Sequence, residues 1–295
     1  MSDLGLMHYC LGIEVWQKEE VVFLTQSKYA RDLLYKFNMQ DCKTLSTPMD
    51  VNMKLTAYDE SKKVDSYLYK QLVGSLIYLT HTRPDISYVV GVVSQFMQNP
   101  SQAHWKSAKR ILRYIQGTLN FGLKYEQPEV PMLVGYTDAD WASNIDDRRY
   151  TSGHTFSYGT TTVSWSSKRQ PTVALSSTKT EYRALNNATQ EAVWLRRLLV
   201  DLGQSQVDAT TISCDNQSCI HLAKNLILHA QTKHIEIHYH FVREKILDET
   251  FDLVFCKSED QMADIFTKSL GKCKFKKFLT LLGIEECNFI IEGEC

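Results

Sequence analysis

Apolar positions follow one rhythm in the first part of the chain and another from about Pro131. Leu11–Trp16 and Val21–Thr25 are strand-like runs joined by the polar turn Gln17-Lys18-Glu19-Glu20. Within Gln26–Phe37, Tyr29, Leu33, Leu34 and Phe37 fall on one helical face. Thr44–Asp65 is polar, contains Pro48 and lacks a clear period, so it reads as a long connection. Two helices are predicted next, Ser66–His81 and Asp85–Gln98; Arg83-Pro84 breaks the first and Pro100 follows the second. Ser101 can cap a third helix, Gln102–Gly117, which stops at its glycine.

After Pro131 the pattern shortens into strands. Met132–Asp140, Tyr150–Tyr158 and Thr162–Lys168 read as three consecutive strands, followed by a long helix, Ser176–Leu202, that ends before Gly203. Thr210–Asp215 is a fourth strand, Asn216–Lys224 and Thr232–Leu247 are helices, and Thr250–Cys256 is a fifth strand. Asp260–Lys268 and Lys274–Leu282 close the chain as helices. That order predicts an α/β fold with one mixed five-stranded sheet and flanking helices.

The length of 295 residues allows about two domains of roughly 150 residues each. No apolar run approaches the roughly 20 residues of a membrane span, and the first residues show no signal peptide. Eight scattered cysteines without Cys-x-x-Cys spacing read as reduced thiols. The expectation is an intracellular protein, cytoplasmic or nuclear and not secreted, without a membrane partner.

The net charge of −1 excludes a globally basic nucleic-acid binder. It conceals an asymmetry: residues 1–125 hold 15 Lys/Arg and 11 Asp/Glu, a net of +4, while the remainder is at −5. Part of the excess forms a stripe. Lys106, Lys109, Arg110 and Arg113 recur at i, i+3, i+4 and i+7 on the third helix. Such a face can lie along a phosphate backbone, or it can be an ordinary solvated surface.

In the acidic part four carboxylates stand at telling places. Asp138 lies in the first strand, Glu181 near the start of the long helix, Asp215 at the end of the fourth strand and Asp264 in the late helix. Singly, each has an ordinary reading, as a strand-end polar residue, a helix-dipole partner, an N-cap and a surface acid respectively. Together, strand ends and helix starts can converge at one end of a sheet, where clustered carboxylates repel unless cations neutralise them. Hard oxygen ligands suit magnesium, and two such ions about 4 Å apart can drive phosphodiester hydrolysis.

Several ordered stretches carry a family resemblance. They are Gly135-Tyr-Thr-Asp-Ala-Asp-Trp-Ala142, Asp146-Asp-Arg-Arg-Tyr-Thr-Ser-Gly153, Ser164-Trp-Ser-Ser-Lys168 and Thr172-Val-Ala-Leu-Ser-Ser-Thr178. Glu191-Ala-Val-Trp-Leu195, Cys214-Asp-Asn-Gln-Ser218, Thr232-Lys-His-Ile-Glu236 and Ala263-Asp-Ile-Phe-Thr-Lys268 complete them. Residues 131–283 thereby resemble the ribonuclease H domain of copia-type LTR retrotransposons. The resemblance implies a ribonuclease H-like fold and an endonuclease that hydrolyses the RNA strand of RNA–DNA hybrids, leaving 3′-hydroxyl and 5′-phosphate ends. It implies Asp138, Glu181, Asp215 and Asp264 as catalytic metal ligands for two Mg2+ ions, with Mn2+ as a substitute. Gln217 matches a position that contacts the minor groove of the hybrid. Asp140, two residues after Asp138, reads as a supporting residue. Ser143, Thr180 and Cys219 depart from the family pattern without removing a carboxylate.

The first part resembles the end of a reverse transcriptase. Asp3-Leu-Gly5 and Leu11-Gly-Ile-Glu-Val15 are similar to the end of the palm. Val73-Gly-Ser-Leu-Ile-Tyr-Leu79, Thr82-Arg-Pro-Asp-Ile86 and Lys109-Arg-Ile-Leu-Arg-Tyr114 are similar to the thumb and connection. Residues 1–125 are thus expected to be a mainly helical, truncated reverse-transcriptase remnant in which Leu11–Thr25 presents unpaired strand edges, with residues 284–295 an unassigned tail. The sole Asp-Asp pair, Asp146-Asp147, is not in a Tyr-x-Asp-Asp turn, so no polymerase activity is expected. The rival expectation is a non-catalytic transposon relic that at most binds nucleic acid. His234 and His238, four apart, could hold zinc, but no Cys-x-x-Cys accompanies them.

Overall fold

A computed structural model describes residues 6–51, 53–128, 131–140, 149–171, 176–225 and 233–287, with the backbone alone for 233–239. The chain divides into two compact units. The first comprises residues 1–50, 60–128 and 271–295, and the second residues 51–59 and 129–270.

In the first unit, β1 (Tyr9–Cys10), β2 (Ile13–Lys18), β3 (Val21–Thr25), β4 (Phe121–Glu126) and β10 (Ile284–Glu286) form one antiparallel sheet in the order β1-β2-β3-β4-β10. Around it stand α1 (Ser27–Lys36), α2 (Ser66–Leu79), α3 (Ser87–Ser94), α4 (Gln102–Gln116) and α8 (Lys272–Leu281). The helices supply most of the regular structure, as expected; the sheet extends further than the sequence suggests. Within Leu11–Thr25, β3 pairs on both sides, with β2 and β4, whereas β1 pairs with only Ile13 and Glu14 of β2 and so covers only the start of its outer edge. Phe121–Glu126 lacks a strand signal because it contains Gly122, yet a Cβ there would lie 2.3 Å from the Leu24 carbonyl oxygen. The glycine is what lets β3 and β4 approach. Lys272–Leu281 and Ile284–Glu286 belong to this unit, so the division differs from an extent of 131–283 followed by a tail.

The predicted helix Asp85–Gln98 is a 3-10 turn at Pro84–Ile86 followed by α3. Pro84 at its start lacks an amide proton and favours the tight turn. Arg83 and Asp85 are both almost wholly buried. Arg83 Nη2 and Nε donate to Asp85 at 2.8 and 3.0 Å, and Tyr114 donates its hydroxyl to Asp85 at 2.6 Å. Thr118 accepts two more guanidinium hydrogen bonds, at its carbonyl and hydroxyl oxygens. The Thr82–Ile86 and Lys109–Tyr114 stretches are therefore two halves of one buried polar staple. Ser101 caps α4 as predicted, and His104 completes a capping box.

In the second unit the sheet order is β7 (Thr161–Arg169), β6 (Thr151–Tyr158), β5 (Leu133–Asp140), β8 (Thr210–Cys214), β9 (Phe251–Phe255). The first three are antiparallel; β8 runs parallel to β5, and β9 parallel to β8. This is the mixed five-stranded sheet expected for a ribonuclease H-like fold. Tyr182, Leu185, Ala188, Ala192 and Leu195 of α5 (Ser177–Asp201) recur at helical spacing and pack with Phe156, Ile212 and Leu253 in the core. α6 (Gln217–Lys224) and α7 (Lys233–Leu247) follow. The predicted helix Asp260–Lys268 is a short 3-10 helix, Met262–Phe266.

Candidate active site

Strand register brings the first two acids together. β5 and β8 are parallel, with Tyr136 opposite Ser213. Two residues further on stand Asp138, within β5, and Asp215, the first residue past the end of β8. The period of two keeps both on the parity of that pair. Glu181 arrives from α5, whose first turn is capped by Ser176 accepting from the Lys179 amide. It lies one helical turn before Leu185 and so shares the buried face. One carboxylate oxygen from each of Asp138, Glu181 and Asp215 lies within 4.8 Å of the others.

The cluster is dry. Asp138 is 2% exposed and Glu181 7%. Burial above all, then the charge of Asp138, pushes Glu181 up to about 10. Burial also pushes Asp138 up to about 7, against the pull of Lys268 and a hydrogen bond from the Thr267 hydroxyl. Glu181 Oε2 is buried without a hydrogen-bond partner among the described residues. Ser258 donates to Asp215 Oδ2 at 2.8 Å.

The candidate metal-holding group among the described residues consists of carboxylates. Burial pushes Cys256 up to about 12, and Cys219 is raised first by its hydrogen bond with Cys214. Both remain neutral thiols at physiological pH. The available donors are hard oxygens, and an orphaned buried carboxylate oxygen among mutually repelling acids fits a divalent cation.

Asp264, the fourth predicted acid, does not join the three. It is 1% exposed and pairs with Lys268 Nζ at 2.7 Å; the same ammonium stands 3.6 Å from Asp138 Oδ2. Burial works against the charge of Lys268, but Asp138 and Asp264 hold it above the ordinary lysine range. Asp140, outside the cluster, adds its field to Lys268. Lys268 and Thr267 went unassigned in the sequence, although the i, i+4 spacing of Asp264 and Lys268 was visible. Ser258 has no sequence signal, because its contact with Asp215 spans 43 residues.

The 3-10 helix that carries Asp264 is held against the sheet. Gln261 Nε2 donates to the Thr137 carbonyl at 3.0 Å, and Ser167 donates to the Phe266 carbonyl at 2.6 Å. Gln170 Nε2 donates both to Ser152 Oγ at 2.7 Å and to the Thr180 carbonyl at 3.1 Å, linking β6 to the turn before Glu181.

Other predicted residues have different surroundings. Gln217 opens α6 with an exposed side chain. On α4, Arg110 pairs with Asp50 at 2.8 Å and Arg113 Nε donates to the Lys43 carbonyl at 2.7 Å. Lys109 lies over the Trp105 ring, and Lys106 is exposed. Half of the basic stripe thus anchors its own chain. Ser143, Asp146, Asp147 and the side chains of His234 and His238 lie outside the described residues. Every cysteine among the described residues is free. No described helix is long and apolar enough to cross a membrane.

No protein-family model matches the chain. The retrovirus-related Pol polyprotein from transposon RE1 of Arabidopsis thaliana is 40% identical over 284 residues, covering 96% of this chain and 19% of that protein. The corresponding polyprotein from transposon TNT 1-94 of Nicotiana tabacum is 39% identical over 293 residues, covering 96% and 22%. An uncharacterized mitochondrial protein of Arabidopsis thaliana is 42% identical over 194 residues, covering 66% of this chain and 80% of that protein. The chain spans about a fifth of the length of the Pol polyproteins it matches. Among solved structures, LC11-RNase H1 isolated from compost aligns with a TM-score of 0.36 and 15% identity, covering 51% of this chain and 99% of that one. The foamy viral protease-reverse transcriptase in complex with RNA/DNA hybrid aligns with a TM-score of 0.44 and 10% identity, covering 83% and 29%.

Proposed function

The chain belongs to the copia-type family of retrotransposon Pol polyproteins, and from that premise we propose that its second unit cleaves the RNA strand of RNA–DNA hybrids. The observation that carries this reading is the convergence of Asp138, Glu181 and Asp215 within 4.8 Å at the end of two parallel strands.

Asp138 and Asp215 would hold two Mg2+ ions, with Glu181 completing one site and Asp264 the other. When bound, the ions supply an activated water and neutralise the leaving oxygen. Glu181, which burial holds protonated at neutral pH, would have to lose that proton to serve as a ligand. Thr267 orients Asp138, and Ser258 orients Asp215. Gln217, exposed two residues beyond Asp215, faces the minor groove, where RNA displays its 2′-hydroxyls. Lys106 and Lys109 contact phosphates; Arg110 and Arg113 hold the 43–50 segment beneath them.

The test is cleavage of a labelled RNA–DNA hybrid in Mg2+, with Asp138→Asn in parallel. Cleavage to 3′-hydroxyl and 5′-phosphate ends, lost in the variant, is the expected result. An unmodified chain that binds hybrid without cutting it would instead be a non-catalytic relic.

A further inference from the structure

The carboxylate cluster already contains a cation that belongs to the chain. Lys268 Nζ stands 2.7 Å from Asp264 Oδ1 and 3.6 Å from Asp138 Oδ2. Its position follows from the backbone: the Lys268 amide donates to the Asp264 carbonyl at 3.0 Å, which sets the two side chains one turn apart. Asp264 is 1% exposed, and the three acids whose oxygens converge do not include it.

We propose that Lys268 is a built-in counter-cation holding the place a second divalent ion would take at Asp264, so that the site loads in two unequal steps. The inference rests on the metal-dependent nuclease reading above. The first ion has an open ligand atom in Glu181 Oε2, which is buried without a competing hydrogen bond among the described residues. Asp264 Oδ1 can bind a second only by releasing Lys268. The same release leaves Asp138 Oδ2, near which Lys268 and Thr267 both stand, with the Thr267 hydrogen bond alone. The displaced ammonium is not stranded. Its side chain is 34% exposed, and the charge of Asp140 also acts on it.

Lysine suits this exchange and arginine would not. An ammonium is a compact point charge on a flexible stem, whereas a guanidinium would grip Asp264 through two parallel hydrogen bonds. A neutral side chain would leave Asp264 buried and uncompensated, and therefore more avid for a cation.

The experiment is a Mn2+ titration of the full chain, followed by calorimetry and by the paramagnetic resonance of free Mn2+. It compares the unmodified protein with Lys268→Met and Lys268→Arg. The first step should change less than the second, since Lys268 stands 3.6 Å from Asp138 but 2.7 Å from Asp264. The second should tighten about tenfold in Lys268→Met and weaken about tenfold or more in Lys268→Arg. A second step of equal affinity in all three proteins would overturn the proposal, and so would its loss in Lys268→Met. If Lys268→Met does not fold, Lys268→Arg decides alone: a second step as tight as in the unmodified chain refutes the counter-cation role. Hybrid cleavage measured on the same preparations separates the two readings. The expected Mn2+ pattern without cleavage refutes the nuclease and keeps the role of Lys268. Cleavage with a second step indifferent to residue 268 does the reverse.

Discussion

Gly153 lies so close beneath Phe266 that a Cβ on the glycine would stand 2.8 Å from the Phe266 Cβ and 2.8 Å from Thr267 Cγ2. Neither atom is the far end of a flexible side chain, so the 3-10 helix and its successor Lys268 depend on a missing methyl group. Gly153→Ala should destabilise the second unit by about 1–3 kcal/mol through overpacking. Hybrid cleavage should fall about tenfold or more as Asp264, Thr267 and Lys268 shift. Urea unfolding and initial cleavage rates measure the two effects; unchanged values in both would show that this contact positions nothing.

Glu181→Gln should separate stability from metal binding. In the metal-free protein Glu181 is pushed up to about 10, first by burial, so at neutral pH it is a protonated acid that glutamine imitates in shape and charge. The metal-free variant should unfold within about 1 kcal/mol of the unmodified chain. Added Mn2+ or Mg2+ should stabilise the variant far less than the unmodified chain, and cleavage should be lost. Thermal unfolding with and without the ion reads this directly.

His154 sets an acid limit. Burial first, and Lys168 second, lower it from 6.5 to about 4. The folded state therefore resists a proton that the unfolded chain accepts near 6.5. The stability His154 contributes is whole above pH 6.5 and is lost as pH falls toward 4, up to about 3 kcal/mol. Relative to His154→Gln, the unmodified chain should lose stability across that window. Parallel stability curves for the two proteins would contradict the assignment.

The buried staple of the first unit should be intolerant of half-removal. Asp85→Asn leaves the Arg83 guanidinium buried without its anion, although Thr118 still accepts from it. The expected cost is about 3–5 kcal/mol, measured by denaturant unfolding of the first unit. Tyr114→Phe removes a single hydrogen bond and should cost about 1–2 kcal/mol.

Charge reversal should divide the basic stripe of α4 in two. Lys106→Glu and Lys109→Glu should weaken hybrid binding and lower its salt slope by about one per residue, with stability nearly unchanged. Arg110→Glu should instead destabilise the first unit, since it replaces the partner of Asp50 with a like charge. Binding isotherms across a salt series, alongside unfolding curves, distinguish the two outcomes.

Much of the architecture was legible because local rules and tertiary packing agree. The period-two runs of β5 to β9 and the apolar face of α5 match their observed bounds to within a residue or two. β4 and β10 were not legible: Gly122 interrupts the first, the second has only three residues, and each is paired by a distant partner. The predicted helix at Asp260–Lys268 contracts to Met262–Phe266 because Gln261 and Phe266 spend their polar groups on the sheet, at Thr137 and Ser167.

The chain's linear order determines which residues can do chemistry. Asp138 and Asp215 sit near the ends of parallel strands, and Glu181 lies one turn before the buried Leu185. Those facts are local, because strand parity and helical spacing are properties of neighbouring residues. Tertiary structure alone decided that three acids converge while Asp264 turns to Lys268. The choice depends on the depth at which the 3-10 helix rests on Gly153, and no local periodicity encodes a distance between segments more than a hundred residues apart.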